Sequence, residues 1–376
     1  MIPYITEGLP GIGGSMRTLP EDFRVEEIPA YEICGCGEHL FLEITKRQIT
    51  TQAAVKELAE FLGADTKDIG YAGMKDRQAV TAQRLSLPAA SWPEKLLNTS
   101  RENIVRLASA PGGEGAEADT ASLFAPPDNL TFKVKILGLH NNKLRTGHLS
   151  GNRFTIRLRG VRSDWREKAE PIAEALRERG FANFYGPQRF GREGNNAEIG
   201  LKGLQTGKLF GPKWRKWLMI SALQSQLFNE WLERRIADGL FGRALCGDVF
   251  GKLPQGGIFY SLDPEAEQKR LDSFEITPMG PIFGGKMFKA QEEALKRENE
   301  ILEKYGIELS AFKALKADGS RRRARLKIED LRISEAEGEP VFSFTLPAGS
   351  YASVLMGEFI KEDLSASESG EEETCE

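Results

Sequence analysis

The stretch Tyr71-Ala-Gly-Met-Lys-Asp-Arg-Gln-Ala-Val-Thr81 sets one carboxylate, Asp76, between two cations, Lys75 and Arg77. A carboxylate held near positive charge favours its ionised form and can act as a nucleophile or a base. Gly73 lets the backbone turn ahead of it, and residues 79–85 read as a strand behind it. Taken alone, the tripeptide also suits a solvated surface loop. Other chemistry is sparse. Cys34, Cys36, Cys246 and Cys375 form no CxxC pair, and His39, His140 and His148 supply no zinc spacing. Free thiols, a reducing cytoplasmic compartment and no metal are therefore expected. No Gly-rich nucleotide-binding loop is present.

Two basic clusters are candidates for contact with phosphate and bases. They are Lys213-Trp-Arg-Lys-Trp217 and Arg321-Arg-Arg-Ala-Arg-Leu-Lys327. Each also suits a solvated helix face. The net charge of −4 hides a gradient. Residues 180–326 hold 24 Lys and Arg against 18 Asp and Glu, a net of +6, while residues 361–376 hold seven acids and one Lys. The acidic tail reads as disordered. At 376 residues, 40% hydrophobic and 28% charged, the chain reads as soluble and globular, with one large domain or two ordinary ones. No run approaches the ~18 apolar residues of a membrane span, and the N-terminus lacks a signal-peptide layout.

The elements that must position these residues follow from periodicity. Residues 22–28, 38–46, 80–87, 104–109, 132–139, 154–158 and 341–346 read as strands. In 154–158 Phe154, Ile156 and Leu158 alternate with Thr155 and Arg157, so one face is buried and one is polar. Residues 51–61 read as a helix capped by Thr50 or Thr51 and ended by Gly63. Further helices are expected over 165–179, 213–238, 291–305 and 351–360, with residues 111–128 a Gly/Pro/Ala-rich loop. Trp217 and Trp231 fall on the apolar face of the helix over 213–238 and are expected in the core. A strand-rich beginning, a helix-rich basic middle and a strand-plus-helix end imply that the middle is inserted into a domain closed by the C-terminal strand.

Several separated motifs resemble the TruD family of tRNA pseudouridine synthases. They are Pro20-Glu-Asp-Phe-Arg-Val-Glu26, Gly37-Glu-His-Leu40, Gly73-Met-Lys-Asp-Arg-Gln-Ala-Val-Thr81 and Gly151-Asn-Arg-Phe154. Asn183-Phe-Tyr-Gly-Pro-Gln-Arg-Phe-Gly191, Ser221-Ala-Leu-Gln-Ser-Gln-Leu-Phe-Asn229 and Leu346-Pro-Ala-Gly-Ser-Tyr351 continue the series in family order. The resemblance implies an α+β fold. A pseudouridine-synthase catalytic domain on a mixed, largely antiparallel sheet (residues 1–179 and 327–360) would carry an inserted helix-rich, RNA-clamping domain (180–326), followed by the tail 361–376. It implies Asp76 as the catalytic aspartate, Phe23, Asn152 and Tyr351 as contacts to the target nucleotide, and Phe154 as the aromatic beneath the base. Arg17 falls where the family has a basic residue near the aspartate, and Lys75 would support it. Gln78 stands where members often have His, and Tyr351 where Phe is expected.

The implied reaction converts a uridine in the D-arm of tRNA, position 13, to pseudouridine. It breaks the N1–C1′ bond, turns the uracil and rejoins it through C5. No atom is gained or lost, so no cofactor is expected. The expected partner is tRNA, with no membrane and a monomeric enzyme. The target base must leave its stack to reach a carboxylate, which explains the aromatics. Two alternatives stand beside this reading: a pseudouridine synthase acting mainly on another RNA, and a non-catalytic RNA-binding or chaperone protein.

Overall fold

The computed structural model describes residues 2–109, 120–254, 256–328 and 330–361. In chain order the first elements are β1 (Phe23–Pro29), β2 (His39–Arg47), α1 (Thr51–Leu62), β3 (Gly70–Tyr71), β4 (Val80–Pro88), α2 (Arg101–Ala108), β5 (Lys133–His140) and β6 (Leu149–Arg157). The middle carries α3 (Trp165–Arg179), β7 (Phe181–Ala182), α4 (Asn196–Thr206), α5 (Lys213–Ala237), β8 (Val249–Lys252) and β9 (Ile258–Tyr260). It continues with α6 (Pro264–Asp272), β10 (Ile276–Ile282), α7 (Glu292–Lys304), α8 (Leu309–Ala314), β11 (Ser320–Arg323) and β12 (Arg325–Leu326). The chain ends in β13 (Arg332–Ala336), β14 (Glu339–Pro347) and α9 (Ala352–Ile360). The acidic tail from residue 362 onward lies outside the described residues.

Two compact units result. One takes residues 14–161 and 330–349; the other takes the described parts of 1–13, 162–329 and 350–361. The N-terminal segment, α3 and α9 thus group with the central stretch.

The first unit is built on an eight-stranded sheet, ordered β13-β14-β6-β1-β4-β2-β5, with β3 added on β4. Only β1 and β4 run parallel; every other pairing is antiparallel. Strand alternation sends Leu40, Leu42 and Ile44 of β2 and Leu85 and Leu87 of β4 to one face. The stripe Ala54, Val55, Leu58 and Ala59 of α1 packs on them. Burial of each such Leu or Ile is worth about 1.5–3 kcal/mol. Thr50 accepts from the Ala53 N–H to start α1, and Gly63 ends it in a left-handed turn (φ 63).

One expected strand is a helix. Residues 104–109 lie in or just after α2, which buries Ile104 while Val105 stays exposed. The signal outweighed by β-branched Ile104-Val105 is Ser100, whose Oγ accepts from the Asn103 N–H, an N-terminal cap.

In the second unit, α5 packs on α4 and on β10. Gly280 of β10 lies under Phe228 and Trp231: a Cβ there would come within 2.5 Å of either ring. The middle carries, besides its helices, the antiparallel sheet β11-β10-β8-β9. Of the second basic cluster, Arg321, Arg322 and Arg323 lie in β11 of that sheet, Arg325 lies in β12, which pairs with β7, and Lys327 is exposed, so the cluster is not a helix. Arg321 forms a buried ion pair with Glu298 of α7, its Nη2 3.1 Å from Oε2. Arg323 donates to the Pro254 carbonyl, and Arg325 to the carbonyls of Arg179 and Leu271. Burial pushes the Arg325 guanidinium down to about 10. Arg321→Gln would leave Glu298 buried without its cation, and an unfolding free energy lower by about 3 kcal/mol is expected from denaturant titration.

Candidate active site

The sheet face that carries the α1 core changes character along its strands. In β2 the inward series Leu40, Leu42, Ile44 ends in Lys46; in β4 the inward series Leu87, Leu85 continues to Gln83 and Thr81. All three polar side chains are buried. Over this polar end runs the segment 73–76, and Lys46 and Gln83, with Thr51 of α1, fix its path. The Lys46 ammonium donates to the carbonyls of Ile49 (2.7 Å), Lys75 (3.2 Å) and Asp76 (3.1 Å). Thr51, the first residue of α1, accepts from the Lys75 N–H at 3.0 Å and donates to Gln83 Oε1 at 2.8 Å. Gln83 Nε2 in turn donates to the Gly73 carbonyl. Backbone groups that would otherwise be buried without partners are thus satisfied, and the loop has one conformation to adopt.

Asp76 emerges from this anchorage with its side chain 41% exposed. Arg17 Nη2 lies 3.1 Å from Asp76 Oδ2, and the Arg17 side chain is only 13% exposed. Arg17 holds a left-handed backbone (φ 61), uncommon for a residue with a Cβ. Its guanidinium also covers the Phe23 ring, 4.3 Å from the centroid. Phe23 meets Phe154 edge-on at 6.1 Å, and Phe154 stacks on Phe344 of β14 at 5.5 Å. The carboxylate, the guanidinium and an aromatic row therefore form one connected group. Asn152 lies two residues from Phe154 on the same face of β6, opposite Glu27 and Leu346. Its Oδ1 is buried with no hydrogen-bond partner among the described residues, an acceptor left without a donor.

Not every expected residue joins this group. The Lys75 ammonium is turned away to Glu27, 2.9 Å from Oε2, with both side chains buried. This contact is an ion pair off the hydrogen-bond axis. Lys75 therefore supports the loop through its backbone and its inner ion pair, and the cation beside Asp76 is Arg17. Tyr351 lies in the second compact unit, at the N-terminus of α9. There it packs edge-on to Tyr185 at 6.0 Å. The motif 183–191 builds that contact. Asn229 holds both backbone groups of Tyr185, and the Arg322 guanidinium lies 3.9 Å over the Tyr185 ring while bonding the Asn183 carbonyl and Oδ1. Gly186 leaves room for Tyr351; a Cβ would approach its ring to 3.0 Å. Trp231 is core at 6% exposure, but Trp217 is 46% exposed, against the expectation for it. Its turn of α5 lies ahead of Met219 and Ile220, where the buried face begins.

Sequence reading passed over Lys46, Glu27, Gln83 and Thr51. The phase of β2 could have found Lys46: a lysine in register with three inward apolar residues needs a buried acceptor set.

The fold that carries this carboxylate is one already seen in a solved structure. The structure of a Methanosarcina mazei protein assigned as a tRNA pseudouridine synthase D superposes with a TM-score of 0.69 over 96% of both chains, at 22% identity, and so shares this fold. The family model described as tRNA pseudouridine synthase D (TruD) matches residues 1–207 and 212–359. The chain is 43% identical to the tRNA pseudouridine synthase D of an Anaeromyxobacter species over 96% of both chains. It is 40% identical to that of Thermus thermophilus, over 96% of this chain and 92% of the relative. The chain belongs to the TruD family of tRNA pseudouridine synthases, and as a pseudouridine synthase it is an isomerase. Among the described residues no helix is long and apolar enough to cross a membrane.

Proposed function

We propose that this enzyme isomerises the uridine at position 13, in the D-arm of tRNA, and that Asp76 is its catalytic carboxylate. The observation that carries the reading is the position of Asp76: half-exposed, paired with Arg17, and fixed from beneath by Lys46, Thr51 and Gln83. Such preorganisation has no use in a protein that only binds RNA, because dispersed cations supply affinity without it. The flipped uridine would present C1′ and C6 to Asp76, which acts as nucleophile or as base on the ribose. The N1–C1′ bond breaks, the uracil turns, C5 bonds to C1′, and the C5 proton is lost as N1 gains one. The reaction is a net isomerisation, and no cofactor is invoked. Phe23 and Phe154 form the aromatic floor, and Asn152, whose Oδ1 lacks a donor among the described residues, accepts from the base or the ribose once the RNA is seated. Tyr351, with Tyr185, offers a further aromatic contact to the RNA. Residues 180–326 serve as the inserted, basic RNA-holding domain, and the enzyme works as a monomer.

Mass-spectrometric mapping of pseudouridine in tRNA from cells with and without the protein tests the substrate. Position 13 is expected to revert to uridine when the protein is absent. Loss of pseudouridine from another RNA, with tRNA position 13 untouched, would refute the assignment.

A further inference from the structure

The loop from α4 to α5 and the first six residues of α5 form a surface that the fold does not use. Lys213, Trp214, Arg215, Lys216, Trp217 and Leu218 are all exposed, so this end of the helix projects beyond the core on every side. Phe210 in the loop is 85% exposed, and Trp214 and Trp217 are 42% and 46% exposed. Trp214, Trp217 and Leu218 are three and four residues apart, so they lie side by side on one strip of the helix. Lys213 and Lys216 share the adjoining strip at the same spacing. Lys208, Lys213, Arg215 and Lys216 have no carboxylate partner among the described residues. From residue 199 to residue 229 the chain contains no Asp or Glu at all. The family match is interrupted at residues 208–211, the stretch that holds Lys208 and Phe210.

A row of exposed aromatic rings costs solvation and needs a cover. Four unpaired cations around it set the sign of that cover: it is a polyanion that also offers flat apolar faces. We propose that residues 208–218 form a docking surface for unpaired nucleotides of the RNA substrate. Trp214 and Trp217 stack on successive bases, and Lys208, Lys213, Arg215 and Lys216 take the intervening phosphates. The proposal rests on the family reading only for the nature of the substrate, an RNA. It reassigns the RNA contact of the central stretch from the arginines of 321–325, which bond carbonyls and a carboxylate of the protein itself, to the exposed start of α5.

The test uses the full chain and reads binding, so it is independent of whether Asp76 is catalytic. Trp92, Trp165 and Trp231 are buried, so base stacking should quench the fluorescence of Trp214 and Trp217 alone. Oligouridylate and tRNA should both quench it. The Trp214→Ala/Trp217→Ala variant should lose the quench and bind oligouridylate on the order of tenfold more weakly. It should bind a blunt duplex RNA within about twofold of the parent. Trp214→Phe/Trp217→Phe, which keeps the stacking faces, should recover most of the lost affinity. Lys213→Gln/Lys216→Gln should reduce the slope of log K against log salt by about 2. Unchanged oligouridylate affinity in the Ala variant overturns the proposal, and so does an equal loss for duplex RNA. Quenching by phosphatidylglycerol vesicles but not by RNA overturns it in favour of a membrane surface.

Discussion

Asp76→Asn should abolish isomerisation while leaving tRNA binding within about tenfold of the parent, ~1.4 kcal/mol. Asparagine keeps the size of the side chain and an oxygen for Arg17, so the local shape persists. What it removes is the negative charge and the lone pair that attack carbon or take a proton. Loss of such a group costs on the order of 10⁴-fold in turnover or more. Stability should change little, because the Arg17–Asp76 pair is partly solvated and pairs of that kind contribute at most about 1 kcal/mol. The split between lost turnover and retained binding is the signature expected. A variant with near-parental turnover would remove Asp76 from the mechanism. A variant that fails to bind would make it a binding residue.

Lys46→Met is expected to have the second largest effect, at a residue that touches no substrate. Methionine fits the buried volume but supplies no donor. The carbonyls of Ile49, Lys75 and Asp76 would then lose their ammonium partner together. Each buried acceptor left without a partner costs roughly 1–3 kcal/mol, so an unfolding free energy lower by about 3 kcal/mol or more should appear in denaturant titration. The loop would relax away from its present path. A displacement of about 1 Å at the reacting group can cost 10²-fold, so kcat should fall by about that factor while KM for tRNA changes little. The KM-against-kcat split separates this role from a purely structural one. Full activity in Lys46→Met would show that Asp76 is positioned by something other than Lys46.

These two residues mark what was legible in the sequence and what was not. Asp76 stood out because a carboxylate between cations after a glycine is conspicuous, and its neighbours at 73–81 match a family motif. The strands around it were legible where their faces differ: β14 alternates along its whole length, and β1, β2, β4, β5 and β6 alternate over part of theirs. The partners of the loop were harder to see, because a lysine and a glutamine inside strands look like surface residues. Only the phase of β2 and β4 shows that Lys46 and Gln83 point inward, and only the tertiary path of 73–76 shows what they meet there. Helix α2 was lost to its β-branched pair, although Ser100 marked its start. The cluster 321–327 misled for another reason. Charge density is a property of sequence, but whether a guanidinium faces water depends on carbonyls supplied by Pro254, Arg179 and Leu271, all distant along the chain. Trp217 was misplaced because helical spacing continues past the point where the core ends.

We propose that one carboxylate, held in place by the sheet beneath it, moves the glycosidic bond of a tRNA uridine from N1 to C5. Formation of the new bond expels the hydrogen on C5, so tritium release from tRNA transcribed with [5-³H]uridine reports the event itself. Under single-turnover conditions with enzyme in excess, the parent protein should release tritium from position 13. It should release none from a transcript carrying cytidine there, and Asp76→Asn should release none from either while still retaining the tRNA on a filter. Release by Asp76→Asn at a rate comparable to the parent would contradict the account.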